Sequence, residues 1–267
     1  DTDRIWIRDS GPIYVKNQNT GKKTILNFEF NGWAKYHNFK KDNKIPSKIC
    51  KVTKIKTVNP YINYYKKKYY PVLEGGAFDV NGKGSVLLTK ECLLSKKQER
   101  NPGLNKKDYQ TFLGKYLGIK NFIWLNRGIK GDDTHGHIDD ISRFVTKNTI
   151  MTCFETNKKE RNYKILNENL KILKKAKDIN GEKFKIIKIP MPKAKYIKRV
   201  RVPATYLNFF IGNKIILLPI YNDKKDIKVF KIFKRFFSNR KIITIDCSKL
   251  IWGFGAIHCM TQQEPDI

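Results

Sequence analysis

The chain has 267 residues, 40% hydrophobic and 12% aromatic, enough to bury a substantial core and to exclude disorder as an overall description. Its 55 Lys and Arg outnumber 24 Asp and Glu to give a net charge of +31, yet lysine is spread through every segment, so no dedicated nucleic-acid partner is expected. Five scattered cysteines without C-x-x-C spacing argue against a disulfide framework or a zinc ribbon and for the cytoplasm.

In chain order, the segment opens without a methionine and inside what reads as a motif, which predicts an N-terminally truncated form of one catalytic domain spanning 1–267. Strands are predicted over 12–15 and 24–30, a short helix over 46–51 and a strand over 52–57. A hairpin follows, 77–80 and 85–89 about Asn81-Gly82-Lys83-Gly84. Asn105 is the expected N-cap of a helix with Asp108 in its first turn, an apolar stripe of Phe112, Leu113, Tyr116 and Leu117, and Gly118 as the stop. A strand over 121–125 closes this group. The order recurs with strands over 142–145 and 149–153, a helix over 163–176 carrying Leu166, Leu170 and Leu173, and a strand over 184–189. It recurs again with 207–211, a turn at Gly212-Asn213-Lys214, 215–218, a helix over 223–237 and a strand over 241–245. The best apolar run, 206–221, is broken by Asn208, Asn213 and Lys214 and falls short of the roughly 18 to 20 residues that cross a bilayer, so no membrane partner is expected.

These are four strand-strand-helix-strand units, with a half-unit expected from Ala256, and they predict a pseudo-symmetric α/β or propeller-like arrangement. The chemistry-bearing residues fall at equivalent places in it. Asp9 precedes the first hairpin, Glu74 the second, and His137 and Asp139 the third, while Cys259 opens the half-unit. Equivalent positions in a ring converge on its axis. Cys259 also follows Gly253 and Gly255, which allow close approach of backbone and ligand.

A cysteine, a histidine and carboxylates are the parts of covalent catalysis. His135, His137 and Asp139 would share one face if their segment were extended. That His-x-His-x-Asp pattern could instead begin a metal site, but only His37 and His258 remain to complete one. The cysteine and histidine would also suit a thiol hydrolase, and the charge a basic RNA-binding protein. His135 and His258 are expected to be structural hydrogen-bonding residues, whereas Asp132, Asp133 and Asp140 stand evenly between turn or capping roles and chemistry.

Six blocks in order, Trp6-Ile-Arg-Asp-Ser-Gly-Pro12, Phe30-Asn-Gly-Trp-Ala-Lys-Tyr36, Leu73-Glu-Gly-Gly76, Gly131-Asp-Asp-Thr-His-Gly-His-Ile-Asp139, Asn208-Phe-Phe-Ile-Gly-Asn213 and Ile257-His-Cys-Met-Thr-Gln-Gln-Glu-Pro265, resemble the agmatine deiminase family, related to bacterial-type peptidylarginine deiminases. The resemblance covers essentially the whole chain. It implies a fivefold pseudo-symmetric α/β propeller whose N-terminal part is missing here. It also implies hydrolysis of a guanidinium to a ureido group, without metal or organic cofactor. Agmatine would become N-carbamoylputrescine and ammonia in putrescine and polyamine synthesis, with peptidyl or free arginine as the less favoured substrate. Asp9 and Asp139 match guanidinium-binding aspartates, Cys259 the nucleophile, and His137 the general acid and base. Glu74 matches a carboxylate that orients the histidine and helps bind the guanidinium, and Trp6 is expected to pack on the substrate's alkyl chain. Homo-oligomerisation is left open.

Overall fold

The structure, a computed structural model, describes residues 1–265. Four three-stranded sheets repeat one plan, an antiparallel hairpin whose second strand is joined by a parallel strand after a helical crossover. In the first, Ile13–Lys16 pairs with Lys23–Leu26, and Thr57–Val58 returns beyond the helix Ile45–Thr53. The second joins Phe78–Val80, Ser85–Thr89 and Asn121–Leu125 around the helices Lys90–Leu94 and Lys106–Leu117. Ser142–Thr146, Thr149–Phe154 and Lys185–Pro190 form the third with the helix Tyr163–Lys175. The fourth comprises Phe210–Ile211, Ile215–Ile220 and Lys241–Asp246 with the helix Asp226–Phe236.

Parallel neighbours cannot be joined by a tight turn, so each unit needs its helix, and that helix must bury an apolar stripe against its sheet. Leu166, Leu170 and Leu173 do so in the third unit. The middle strand of each unit is paired on both edges, and Ser85–Thr89 is buried along its whole length. The predicted cap at Asn105 forms a reciprocal capping box with Asp108, and Gly118 ends the helix in the left-handed region at φ 67°.

Several expectations are corrected. The predicted strand over 52–57 is helical through Thr53, because Lys54 turns left-handed at φ 57° and closes the last turn onto Cys50 at 2.8 Å, leaving only Thr57–Val58 extended. The strand expected over 24–30 ends at Leu26. That expected over 207–211 is reduced to Phe210–Ile211, since Asn208 is drawn into polar contacts described below. From Ala256 the chain makes a turn closed by Met260 N onto the Ala256 and Ile257 carbonyls at 3.3 and 3.2 Å, and no strand forms up to Pro265. Two small hairpins, Ile62–Tyr64 with Lys67–Tyr69 and Lys195–Ile197 with Val200–Val202, were not foreseen. No helix among the described residues is long and apolar enough to cross a membrane.

Candidate active site

Asp9, Glu74, His137, Asp139 and Cys259 are all buried, none more than 6% exposed; the first four come from segments ahead of successive hairpins, and Cys259 joins them from the turn that begins at Ala256. Each is held by local structure. Asp9 lies in the one-turn helix Ile7–Ser10, and its carboxylate accepts from Gly76 N at 3.0 Å and from Trp33 Nε1 at 2.9 Å. Trp33 reaches it because the 3₁₀ turn Gly32–Ala34 places Trp33 itself at φ 59°, a strained conformation for an aromatic residue, under the Asn31 cap. Glu74 is anchored through Oε1 by Arg100 Nε at 2.9 Å, with both side chains inaccessible to solvent. His137 follows a turn organised by Asp132, whose carboxylate accepts from the main-chain N of Thr134, Gly136 and His137 at 2.8, 2.7 and 3.0 Å.

That turn overturns the expected common face. His135 is left-handed at φ 64° and Gly136 at φ 102°, so the segment is not extended, and His135 Nε2 bonds instead to Ser95 Oγ at 3.1 Å. His135 therefore keeps the structural role expected of it, and the His-x-His-x-Asp metal pattern does not converge. Among the described residues, Glu74, Cys92 and His137 do bring donor atoms within 4.8 Å of one another. Glu74 is already engaged through Oε1 by the Arg100 guanidinium, which leaves Oε2 as its one uncommitted oxygen among the described residues.

The imidazole of His137 stands among three carboxylates, 3.7 Å from Asp9 and 3.9 Å from both Glu74 and Asp139. Among the described residues neither ring nitrogen has a hydrogen-bond partner, nor do Glu74 Oε2 and Asp139 Oδ1. Buried polar atoms are rarely left so, and four in one place mark where a polar guest belongs. Gly76 makes the closeness feasible: a Cβ there would lie 2.5 Å from His137 Nδ1 and 2.8 Å from Asp9 Oδ1. Asp139 Oδ2 is 2.6 Å from His258 Nδ1.

Asn208 was not singled out as a site residue, although it stands ahead of the fourth hairpin as Asp9, Glu74 and Asp139 stand ahead of theirs. The repeat itself was the signal. Its Nδ2 contacts Cys259 Sγ at 3.1 Å and Asp140 Oδ1 at 2.9 Å, while its Oδ1 accepts from Cys259 N at 3.3 Å. Asp140 thus fixes which end of the amide faces the sulfur. Asp132, which stood evenly between a turn role and chemistry, organises the turn.

Ionisation follows from this crowding. Burial, reinforced by Asp139, Asp140 and Asp9, pushes the Cys259 thiol well up. Burial likewise raises Asp9, and it lifts Asp139 to about 7 against the opposing His137 charge. For His137 burial works toward the neutral ring, but Asp9, Cys92 and Glu74 outweigh it and hold its pKa well above the ordinary value. Burial also opposes ionisation of Glu74, yet Arg100 and His137 hold it down at about 2.

A cavity of about 270 Å³ leads to Asp9 and Cys259 past Trp6, Trp33, Tyr36 and Asp133. Trp6 lies across two glycines: a Cβ on Gly253 or Gly255 would come within 2.7 or 2.6 Å of its ring. At the cavity's edge Tyr36 OH donates to Asp133 at 2.6 Å, Lys35 pairs with the same carboxylate, and the Arg4 guanidinium sits 4.8 Å from the Tyr36 ring centroid.

The family model for Porphyromonas-type peptidyl-arginine deiminases matches residues 1–265. The chain belongs to that family. It is similar to a Legionella pneumophila protein provisionally named an agmatine deiminase, with 34% identity over 97% of this chain and 72% of the relative. Among solved structures it resembles a cysteine-to-serine variant of C. jejuni agmatine deiminase with substrate bound, at 35% identity and TM-score 0.86 over 98% of this chain and 74% of that one. It also resembles Enterococcus faecalis agmatine deiminase, at 28% identity and TM-score 0.87 over 97% of this chain and 74% of that one. Family membership and these solved relatives agree with the α/β fold read from the repeat.

Proposed function

We propose that the chain is a guanidine hydrolase that converts agmatine to N-carbamoylputrescine and ammonia, a step toward putrescine and polyamines. The observation that carries this reading is the set of unpartnered atoms on Glu74, His137 and Asp139 gathered with Asp9 beside the Cys259 cavity. A guanidinium presents a planar fan of N–H donors, and these carboxylates are the acceptors that such a fan requires. The solved agmatine deiminases of the same fold add to it.

Asp9 and Asp139 hold the guanidinium with its central carbon toward Cys259, and Glu74 binds it while orienting His137. The cation offsets the carboxylate charges that make the thiolate costly, so the Cys259 proton is lost to solvent through the cavity while Asn208 donates to the sulfur. The thiolate forms a C–S bond to the guanidinium carbon. His137, protonated, gives its proton to the departing nitrogen, and ammonia leaves a covalent thiouronium. Neutral His137 then takes a proton from water as its oxygen attacks, and the C–S bond breaks to release the ureido product, the remaining hydroxyl proton passing to the departing Cys259 sulfur.

Trp6 packs along the alkyl chain, and Asp133, releasing the solvent-exposed Lys35 with which it pairs, receives the terminal ammonium of agmatine. The same carboxylate would repel the α-carboxylate of free arginine, which favours agmatine between the two. The repeat supports one catalytic domain in which the units occupy positions about a pseudo-fivefold axis. Five free thiols fit a cytoplasmic setting.

Ammonia release from agmatine, free arginine and a blocked arginyl peptide tests the assignment. Agmatine is the expected substrate, and exchange of Cys259 for Ser should abolish turnover in a folded protein. Preference for an arginyl substrate would replace agmatine, and turnover persisting without the thiol would end the covalent mechanism.

A further inference from the structure

Behind the catalytic residues lies a second cavity, about 310 Å³, lined by Arg8, Tyr14, Asp79, Arg143 and Gln263 among others. It shares no lining residue with the cavity that reaches Cys259. Two guanidinium groups face it, each at most 6% exposed. That of Arg143 is satisfied: Nε pairs with Asp79 Oδ2 at 2.5 Å, and Nη1 donates to the Leu207 and Phe209 carbonyls at 3.3 and 3.0 Å.

Arg8 is different. Its Nε donates to the His258 carbonyl at 3.2 Å and its Nη1 to Gln263 Oε1 at 2.6 Å, both neutral acceptors. Its Nη2 is buried with no partner among the described residues. With Asp79 spent on Arg143, no carboxylate among the described residues hydrogen-bonds Arg8, and the charges of Asp139 and Asp9 only partly offset its own, which leaves a buried cation short of a partner. Burial and the neighbouring Arg143 charge accordingly push Arg8 down to about 10.

We propose that this cavity binds a small oxyanion, a carboxylate or phosphate, received by Arg8 Nη2. Arg8 also donates its main-chain N to the Cys259 carbonyl at 3.0 Å, so the residue that grips the anion tethers the segment carrying Cys259.

The test is calorimetry and thermal denaturation of the chain titrated with inorganic phosphate or malonate at constant ionic strength. Saturable binding of at least one of them is expected. It should be kept in Gln263→Ala and weakened about tenfold or more in Gln263→Glu, whose carboxylate takes the anion's place at Arg8. Gln263 is exposed, so neither change threatens the core. The proposal is overturned if neither anion saturates, if Gln263→Glu binds like the parent, or if the alanine variant loses binding as fully as the glutamate one. Binding is read without turnover, so the result stands apart from the deiminase assignment.

Discussion

His258 Nδ1 sits 2.6 Å from Asp139 Oδ2 in a contact closed to solvent, which commits one carboxylate oxygen and leaves Oδ1 without a partner among the described residues. Burial, with the Arg143 and Arg8 charges, pushes His258 well below the usual imidazole range, so the ring is neutral, and its Nδ1–H tautomer is the one that donates to Asp139 once that carboxylate is ionised. Replacing His258 with Ala strands a buried acceptor and frees Asp139 to turn. The expected loss in kcat/KM for agmatine is about ten- to hundredfold, with partial recovery in His258→Asn, which restores a donor. An alanine variant with parental kcat/KM would remove His258 from any positioning role.

Gly76→Ala is expected to give a folded but nearly inactive protein. The added methyl would meet His137 Nδ1 at 2.5 Å and Asp9 Oδ1 at 2.8 Å, and it can be accommodated only by moving them. Displacement of reacting groups by about 1 Å costs on the order of a hundredfold in rate. The melting temperature and kcat should therefore part company, and a near-parental kcat would show that the pair has room to spare.

The carboxylates make a signed prediction about pH. Asp139 is lifted to about 7, above its unfolded value, so the folded state binds its proton more tightly and the stability this confers is lost as pH rises from about 4 to 7. His137, also raised, adds loss in the same direction above its ordinary value. A cationic ligand needs the ionised carboxylate, so affinity for an unreactive guanidinium should strengthen over the interval in which the free protein weakens. Thermal denaturation and ligand titration from pH 5 to about 8 measure both trends, and parallel trends would contradict the buried-carboxylate account.

Asp133→Asn addresses the far end of the substrate. KM for agmatine is expected to rise about tenfold, with kcat little changed and a simple alkylguanidine without an ammonium unaffected. Equal losses for both compounds would place Asp133 in the architecture of the cavity and not in ammonium recognition.

The legible part of the fold was its repeat, because hairpin turns such as Asn81-Gly82 and helix signals such as Asn105, Asp108 and Gly118 are local chemistry. The small hairpins were hidden because Tyr65, Lys66, Lys198 and Arg199, none a usual turn former, adopt positive φ there. In the site, Asp9, Glu74, His137 and Asp139 were readable from their places ahead of hairpins and from family blocks, and Cys259 from its Gly-rich approach and its block. Arg100 was not. Its pairing with Glu74 spans 26 residues and is made by tertiary packing alone. Trp33 lay inside a quoted block, but its indole bond to Asp9 depends on a left-handed backbone that its residue type does not announce.

The backbone bond from Arg8 N to the Cys259 carbonyl joins positions at opposite ends of the chain, and the chemistry sits on either side of that seam. Local turns and helices can form early, but closing so long a loop costs entropy before the contact rewards it. Native-like secondary structure is thus expected to return before activity when the denatured chain refolds. Catalysis would serve as a reporter of the last long-range closure, with partially folded molecules inert although most of their hydrogen bonds are in place.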